Sequence, residues 1–283
     1  MRVAAIQCDV SFADFDANLK SIVQSIATAA DSGVQLAVFP ECVLSGYAFD
    51  DRESALRAAV TLEDPCWESI IQAAAGSIHV TIGCLLSQRD DPGDAAERLF
   101  NATVLVGPGG IVSHYRKVHL PYLGVDRFVD RGDRSDAVAQ VGDAKVGMAI
   151  CYDSSFPEPM RVLGLLNADI VALGTNWPVA AFRTAEVVPP ARSMENHYYF
   201  IAANRIGSEN GFDFCGKSSI CGPDGVVLAS VDHAQPAMLI ADIDLAAARN
   251  KRIERTAGAH VIDRMADRRP ELYSEIVRPR GEM

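Results

Sequence analysis

The residue with the clearest chemical potential is Cys151, which ends the apolar run 146–150 and precedes polar residues and Pro157. A buried strand that gives way to a helix here would place the thiol at the strand's carboxyl end, where sites in α/β sheets usually lie. The N-terminus of a helix also favours a thiolate over a thiol. The segment therefore predicts a cysteine nucleophile.

A thiol that attacks a carbonyl carbon needs a base for its proton and a stabilising group for the oxyanion. Glu41 follows the apolar strand 36–40, where desolvation would raise its pKa and make it a useful base. Lys117 lies where another strand gives way to a loop, and a buried ammonium there would stabilise a thiolate and an oxyanion. Taken alone, either residue would be interpreted as a surface charge. The alternative base is a histidine, through a Cys–His pair with His119.

Composition restricts the function classes. The 283 residues carry a net charge of −11, from 26 basic and 37 acidic side chains without a long basic run, which argues against nucleic-acid binding. The apolar runs are too short for a signal peptide or for the roughly 20 residues of a membrane span. Seven scattered cysteines do not resemble a disulfide framework, so we expect a cytoplasmic protein. No metal-binding or nucleotide-binding motif is present, and we expect no cofactor.

Short apolar runs alternate with helical patterns and turns along the chain. Helices are predicted over 19–30, 160–166 and 183–197, and glycine-rich turns at 107–110 and 222–225 predict antiparallel hairpins. Strands are predicted over 3–6, 35–39, 80–86, 102–106, 111–114, 137–141, 146–150, 169–173, 198–203 and 238–243. This pattern predicts an α/β fold with mixed sheets in a single domain, 1–283. From about 251 to 283 a polar tail keeps some apolar residues, and we expect it to dock, with a partner subunit as one possible surface.

Three predicted strand ends thus carry Glu41, Lys117 and Cys151. Their segments read FPECVLSGY over 39–47, YRKVHLP over 115–121 and ICYDSSFPE over 150–158. With these segments in this order, the chain resembles the nitrilase, or carbon–nitrogen hydrolase, superfamily. Further matches extend the resemblance nearly end to end, at 168–170, 175–178, 192, 195–196, 204–205 and 269–273.

The resemblance implies an α-β-β-α sandwich of two mixed sheets flanked by helices, in subunits that form a homodimer or a higher homo-oligomer. It implies that Glu41 is the base, Cys151 the nucleophile, and Lys117 with the backbone N–H of Tyr152 the oxyanion site. No metal or organic cofactor takes part. The implied reaction cleaves a small amide through an acyl thioester and releases ammonia.

Two positions depart from the family pattern. Many members carry a second glutamate after the lysine segment, and Asp126 occupies that place here. It either substitutes for the glutamate or is a structural residue paired with Arg127 or Arg131. Gly174 stands where a proline commonly precedes Thr-Asn, and it either widens the pocket wall or relaxes the turn.

Several residues are candidates for the pocket. The resemblance places Asn176 and Trp177 near its mouth, with helix packing as the alternative for Trp177. Tyr47, Tyr122 and Tyr152 are candidate lining residues. Cys42 is interpreted as a core residue, because its side chain is expected on the face opposite to Glu41.

The leading function is therefore an amidase that acts on a small carboxamide, and the nearest alternative is an N-carbamoyl amino acid or amine amidohydrolase. A carbamoyl amino acid carries a carboxylate, so a cation in the pocket would favour that alternative; the candidates are Arg127, Arg131, Arg183 and Arg192. A nitrilase, a non-catalytic scaffold and a redox-sensing thiol protein are less favoured.

Overall fold

A computed structural model of the protein describes residues 1–89 and 97–279. Its helices are α1 (Phe15–Asp31), α2 (Arg52–Arg57), α3 (Cys66–Ala73), α4 (Pro157–Leu165), α5 (Phe182–Asn196) and α6 (Leu245–Arg249). Its strands, in chain order, are β1 (Arg2–Gln7), β2 (Leu36–Val38), β3 (His79–Gln88), β4 (Arg98–Gly107), β5 (Gly110–Arg116), β6 (Val138–Val141), β7 (Ala144–Ile150), β8 (Ile170–Thr175), β9 (Tyr199–Asn204), β10 (Ser208–Glu209), β11 (Phe212–Asp213), β12 (Ser219–Cys221), β13 (Val227–Ser230), β14 (Ala237–Asp242), β15 (Arg252–Thr256) and β16 (His260–Asp263).

Twelve of these strands form two six-stranded mixed sheets, and β10–β11 and β15–β16 form two separate hairpins. The first sheet has the order β14-β1-β2-β3-β4-β5, and the second sheet has the order β13-β12-β9-β8-β7-β6. Parallel pairs lie at the centre of each sheet, β1 with β2 and β2 with β3 in the first, β7 with β8 and β8 with β9 in the second. Because parallel neighbours end at the same edge, the residues that follow β2 and those that follow β7 each leave a sheet at its carboxyl edge.

The sheets pack face to face because their strands alternate apolar side chains between two faces. In β1, Val3 and Ala5 join the layer between the sheets, whereas Ala4 and Ile6 face outward. Helices α1 and α3 cover the outer face of the first sheet, and α4 and α5 cover that of the second. The predicted α-β-β-α sandwich is therefore confirmed.

Most predicted elements appear with small changes at their ends. The turns at 107–110 and 222–225 join the antiparallel pairs β4–β5 and β12–β13, as predicted. The differences include helices α2, α3 and α6, which were not predicted, and β4, which begins at Arg98 and so includes Asn101 inside the sheet. Because Arg98 and Asn101 are polar, the first part of β4 lacks the continuous apolar run from which the strand 102–106 was predicted.

The tail forms the β15–β16 hairpin and two short 3-10 helices. Lys251 Nζ donates to the carbonyl oxygen of His197 at 2.6 Å, which fixes the start of the tail to the end of α5. Leu272, Ile276 and Val277 remain exposed, so docking of the tail on a partner subunit stays a prediction. Residues 280–283 lie outside the described range. Within the described ranges, no helix has the length and hydropathy needed to cross a membrane.

Candidate active site

The three candidate residues lie just beyond strand ends. Glu41 follows β2 and Lys117 follows β5, both in the first sheet, whereas Cys151 follows β7 in the second sheet. The site is therefore assembled across the sandwich, from side chains that neither sheet could bring together alone.

A close backbone contact between the sheets explains Gly174. This residue lies in β8, and a Cβ built on it would be 2.7 Å from the carbonyl oxygen of Phe39 and 3.1 Å from the backbone nitrogen of Glu41. Ile150 is the partner of Gly174 in the neighbouring strand β7, so the contact also brings the Cys151 segment towards Glu41. Gly174 lies inside a strand and not in a turn, and neither interpretation included this contact, in which glycine permits two backbones to touch.

A tight turn presents Cys151. Its φ of +43° lies in the left-handed region, and a single 3-10 segment, Cys151–Ser155, connects β7 to α4. Strained backbone of this kind persists only where the surroundings hold it. Asp153, fully buried, accepts hydrogen bonds from the backbone N–H of Ile150 at 3.1 Å and from the hydroxyl of Tyr115 at 2.9 Å. The carboxylate thereby anchors the turn to the end of β5.

Asp153 also determines the surroundings of His119. The His119 Nδ1 lies 2.7 Å from Asp153 Oδ1, and the ring stacks on Phe156 with centroids 4.0 Å apart. Asp153 could orient a histidine base, but within residues 1–89 and 97–279 no hydrogen bond joins the His119 ring to Cys151. The charges that act on the thiol are those of Glu41 and Lys117, so the Cys–His alternative has no support here.

A fully buried ion cluster contains the other candidates. The Lys117 Nζ lies 2.6 Å from Glu41 Oε1 and 2.6 Å from Asp126 Oδ2, and none of the three side chains is exposed. The Tyr47 hydroxyl donates to Asp126 Oδ2 at 2.7 Å. The ion-pair partner of Asp126 is therefore Lys117, and neither Arg127 nor Arg131 takes that role.

Asn101, which lies in β4, forms hydrogen bonds with both carboxylates. Its Nδ2 donates to Glu41 Oε1 at 2.7 Å and to Asp126 Oδ1 at 2.9 Å. Its Oδ1 accepts the Cys42 S–H at 3.6 Å. Cys42 is fully buried, as predicted for a core residue, but it also contacts the polar cluster through this bond.

Burial controls the titration of the cluster. It raises the pKa of Glu41, with Lys117 and the Asn101 hydrogen bond opposing the shift. Burial disfavours the charge on Lys117, but the charges of Asp126 and Glu41 prevail and raise its pKa well above the usual value. Burial and the charge of Glu41 raise the pKa of the Cys151 thiol. These directions favour a neutral thiol at rest rather than the expected thiolate, so the nucleophile needs a base.

Two buried polar groups near the thiol lack partners. Among the described residues, Glu41 Oε2 and both side-chain amide atoms of Asn176 accept or donate no hydrogen bond. Asn176 comes directly after β8, two positions beyond the residue paired with Ile150, and is only 1% exposed. Buried polar atoms are almost always hydrogen-bonded, so groups left free beside a nucleophile are suited to a ligand.

The remaining pocket candidates separate into core and surface. Trp177 is 3% exposed and packs in the apolar cluster under α4 and α5, which supports the packing interpretation. The Tyr152 side chain is 38% exposed and meets Phe156 edge-on. Tyr47 is buried, and its hydroxyl donates a hydrogen bond to Asp126.

The candidate arginines are mostly engaged elsewhere. Arg127 donates to the carbonyl oxygens of Gly124 and Phe49, and Arg183 pairs with Glu186. Arg192 donates to the carbonyl oxygens of Ser154 and Ser155 and to Glu195, and Arg131 is exposed. Hence no described contact assigns an arginine to a substrate carboxylate.

A second buried ion pair supports the loop after Glu41. Arg205 pairs with Glu209, and Glu209 Oε1 accepts the backbone N–H groups of Tyr47, at 2.6 Å, and Ala48. Sequence reasoning missed this pair, as it missed Asn101 and the role of Asp153. The available signal was polar residues at positions where the apolar pattern required burial, such as Asn101 between Phe100 and Ala102.

Comparison with known proteins agrees with this geometry. A family model described as carbon-nitrogen hydrolase matches residues 2–253. The chain is 34% identical to a nitrilase from Pyrococcus abyssi over 96% of this chain and 99% of that protein. It is 31% identical to an (R)-stereoselective amidase from a Pseudomonas species over 81% of this chain and 80% of that protein.

Solved structures give the same result. A mutant of the Nesterenkonia AN1 amidase from the nitrilase superfamily superposes with a TM-score of 0.79 at 25% identity, covering 98% of this chain and 97% of that chain. The fold is thus that of the nitrilase-superfamily amidases. The chain itself belongs to the carbon-nitrogen hydrolase family.

Proposed function

We propose that the protein is an amidase that hydrolyses small carboxamides through Cys151, Glu41 and Lys117 and releases ammonia. The observation that carries the proposal is the state of Glu41. Its Oε1 is held by Lys117 and Asn101, whereas its buried Oε2 has no partner among the described residues. A carboxylate held by one oxygen and free at the other is suited to repeated proton transfer.

In the first half-reaction, Glu41 accepts the thiol proton as the Cys151 sulfur bonds to the carbonyl carbon. The carbonyl oxygen becomes an oxyanion, which the Lys117 ammonium and the Tyr152 backbone N–H stabilise. Glu41 then gives its proton to the nitrogen, the C–N bond breaks and ammonia leaves. The product is an acyl thioester on Cys151.

The second half-reaction repeats these steps with water. Glu41 accepts a proton from water as the oxygen bonds to the thioester carbon, and Lys117 again stabilises the oxyanion. The C–S bond then breaks, and the sulfur recovers its proton from Glu41. The carboxylic acid leaves and the starting thiol is restored, so the cycle consumes only amide and water.

The related structures support an amide substrate. In one, a mutant of the amidase from Nesterenkonia sp. AN1 carries acrylamide at the active site cysteine, the result of a Michael addition. In another, the acetamide moiety of fluoroacetamide is attached to that cysteine. Both are 25% identical to this chain. Because Arg127, Arg183 and Arg192 are engaged with other protein groups, we place the carbamoyl amino acids second.

Ammonia release from small amides, N-carbamoyl amino acids and nitriles tests the proposal. We expect turnover of the amides by the wild type and its loss in Cys151→Ala. A matched control is Cys66→Ala, which removes a buried thiol from α3 on the outer face of the first sheet and should keep activity. Turnover that persists in Cys151→Ala would contradict the mechanism, and turnover of carbamoyl substrates alone would replace the substrate class.

A further inference from the structure

Asn101 contacts every charged member of the buried cluster. Its side chain, fully buried in β4, donates to Glu41 Oε1 at 2.7 Å and to Asp126 Oδ1 at 2.9 Å. The backbone carbonyl oxygen of Asn101 accepts the backbone N–H of Lys117 at 2.8 Å. One residue on β4, a strand that is paired on both sides, thus fixes the position of two carboxylates and of the backbone that carries the ammonium.

The orientation of the amide is fixed as well. The Asn101 Oδ1 accepts the Cys42 S–H at 3.6 Å, which leaves both N–H groups for the carboxylates. A flipped amide would set its oxygen against Glu41 Oε1 and Asp126 Oδ1 and leave three acceptors facing one another without a proton. The Cys42 thiol and the two carboxylates therefore select the same orientation.

Asparagine is suited to this place because it donates without titrating. The cluster has two carboxylates and only one ammonium. The Lys117 ammonium is shared by Glu41 and Asp126, and in the proposed reaction it must also stabilise an oxyanion. A neutral donor can support both carboxylates throughout, because its own charge never changes when Glu41 gains or loses a proton.

We propose that Asn101 is a positioning residue of the reaction, which holds Glu41 by Oε1 and keeps the carboxylate ionised so that Oε2 can exchange the proton with Cys151. This inference rests on the proposed function of Glu41 as the base. It adds to the triad a fourth residue that acts through Glu41 and has no contact with substrate.

The electrostatic surroundings agree with this role. Burial raises the pKa of Glu41, and the hydrogen bond from Asn101 is one of the contacts that lower it. The other titratable groups that act on Glu41, or are acted on by it, come from four segments of the chain and are Cys42, Tyr47, Lys117, Asp126 and Cys151. All of them remain when only Asn101 is replaced.

Asn101→Leu tests the inference, because leucine has a similar volume and no donor. Iodoacetamide is the probe: the Cys151 sulfur bonds to its methylene carbon, iodide leaves, and the thiol proton passes to Glu41. The rate of Cys151 alkylation, followed by peptide mass spectrometry, is measured from pH 4 to pH 9, together with amide turnover. The acidic limb of each profile is the pH range over which the rate falls as Glu41 becomes protonated. Loss of the hydrogen bond from Asn101 to the charged carboxylate should move this limb upward by about one pH unit or more.

Leu99→Ala is the matched control. Leu99 lies two residues earlier on the same face of β4, is fully buried among apolar side chains, and its backbone N–H donates to Asp130, outside the ion cluster. It should lower stability and leave the acidic limb unchanged. If Asn101→Leu does not fold, Asn101→Ser, whose hydroxyl is too short to bridge both carboxylates, gives the same upward shift.

The outcomes separate this inference from the proposed function. A limb that stays in place in the Asn101 variants, while the wild type turns over amides, overturns the inference alone. A limb that moves in the alkylation profile, while the wild type turns over no amide, supports the role of Asn101 and rejects the amidase. An equal shift in Leu99→Ala shows a merely structural effect and also overturns the inference.

Discussion

Replacing Lys117 by methionine tests the electrostatic reasoning most directly. Methionine nearly fills the same space, so the change removes a charge from between two buried carboxylates, each 2.6 Å from the ammonium. Removing one partner of a buried ion pair costs about 3–5 kcal/mol of unfolding free energy. Here two carboxylates lose a partner, so we expect the upper part of that range at pH 8, which corresponds to a Tm lower by roughly 10 °C.

The loss should depend on pH in a specific direction. Without Lys117, the folded-state pKa of Glu41 rises further above its unfolded value, because burial disfavours its charge and the cation that opposed the shift is gone. An acid with a raised folded pKa destabilises the fold above that pKa and contributes no penalty below its unfolded pKa. Unfolding by urea should therefore show a smaller difference between wild type and Lys117→Met at pH 5 than at pH 8.

A double variant separates stability from catalysis. Lys117→Met with Asp126→Asn removes one of the two orphaned carboxylates and should recover part of the lost stability, since Glu41 remains without its cation. Amide turnover should remain absent, because no ammonium is left for the oxyanion. A loss below 1 kcal/mol for Lys117→Met at pH 8, or an equal loss at pH 5, would refute the buried cluster as the origin of the effect.

Three further predictions concern other parts of the molecule. Gly174→Ala should lower the unfolding free energy by about 1–3 kcal/mol and reduce kcat/KM, because its Cβ would lie 2.7 Å from the Phe39 carbonyl oxygen; unchanged urea unfolding would contradict this. Tyr47→Phe should cost about 1.5–3 kcal/mol in the same assay, since Asp126 loses a 2.7 Å hydrogen bond, and a neutral result would show that water replaces the hydroxyl. Burial lowers the pKa of Lys251 to about 8 from 10.5, so the unfolded chain binds more protons between these values and the unfolding free energy should rise with pH there. Lys251→Met should remove that rise, and an identical pH dependence in wild type and variant would exclude it.

The sequence was sufficient for the parts of the site that lie at strand ends. Glu41, Lys117 and Cys151 each follow an apolar run, so their placement required only the rule that sites gather where strands end. Their convergence was not visible in composition, because it depends on how closely two sheets approach. At this point the approach includes the contact of Gly174 in β8 with the Phe39 carbonyl oxygen, which no hydrophobic pattern reports.

The supporting residues could not be predicted, for a physical reason. Asn101 and Asp153 are buried polar residues. The two carboxylates that accept hydrogen bonds from the Asn101 side chain lie 25 and 60 positions away along the chain. The Tyr115 hydroxyl and the Ile150 N–H, which donate to Asp153, lie 38 and 3 positions away. A local pattern scores such residues as interruptions, whereas their value comes from hydrogen bonds that exist only after the sheets have packed. The resemblance placed Asp126 at the position of the family's second glutamate. Its contact with Lys117 became visible only in the structure.

Gly83 and Gly174 also bear on how the protein can change. A Cβ at Gly83 would lie 2.6 Å from the backbone nitrogen of Cys42, so the peptide that carries Glu41 has a glycine against it on both sides. A side chain at either glycine would therefore displace the backbone that carries the base, Glu41. Changes of substrate range can instead be sought at the exposed residues of the segments 122–133 and 176–181, which surround the buried Asp126 and Asn176. A directed-evolution library that keeps Gly83, Gly174, Asp126 and Asn176 and randomises those exposed residues should contain more active members than one that varies every residue around Glu41.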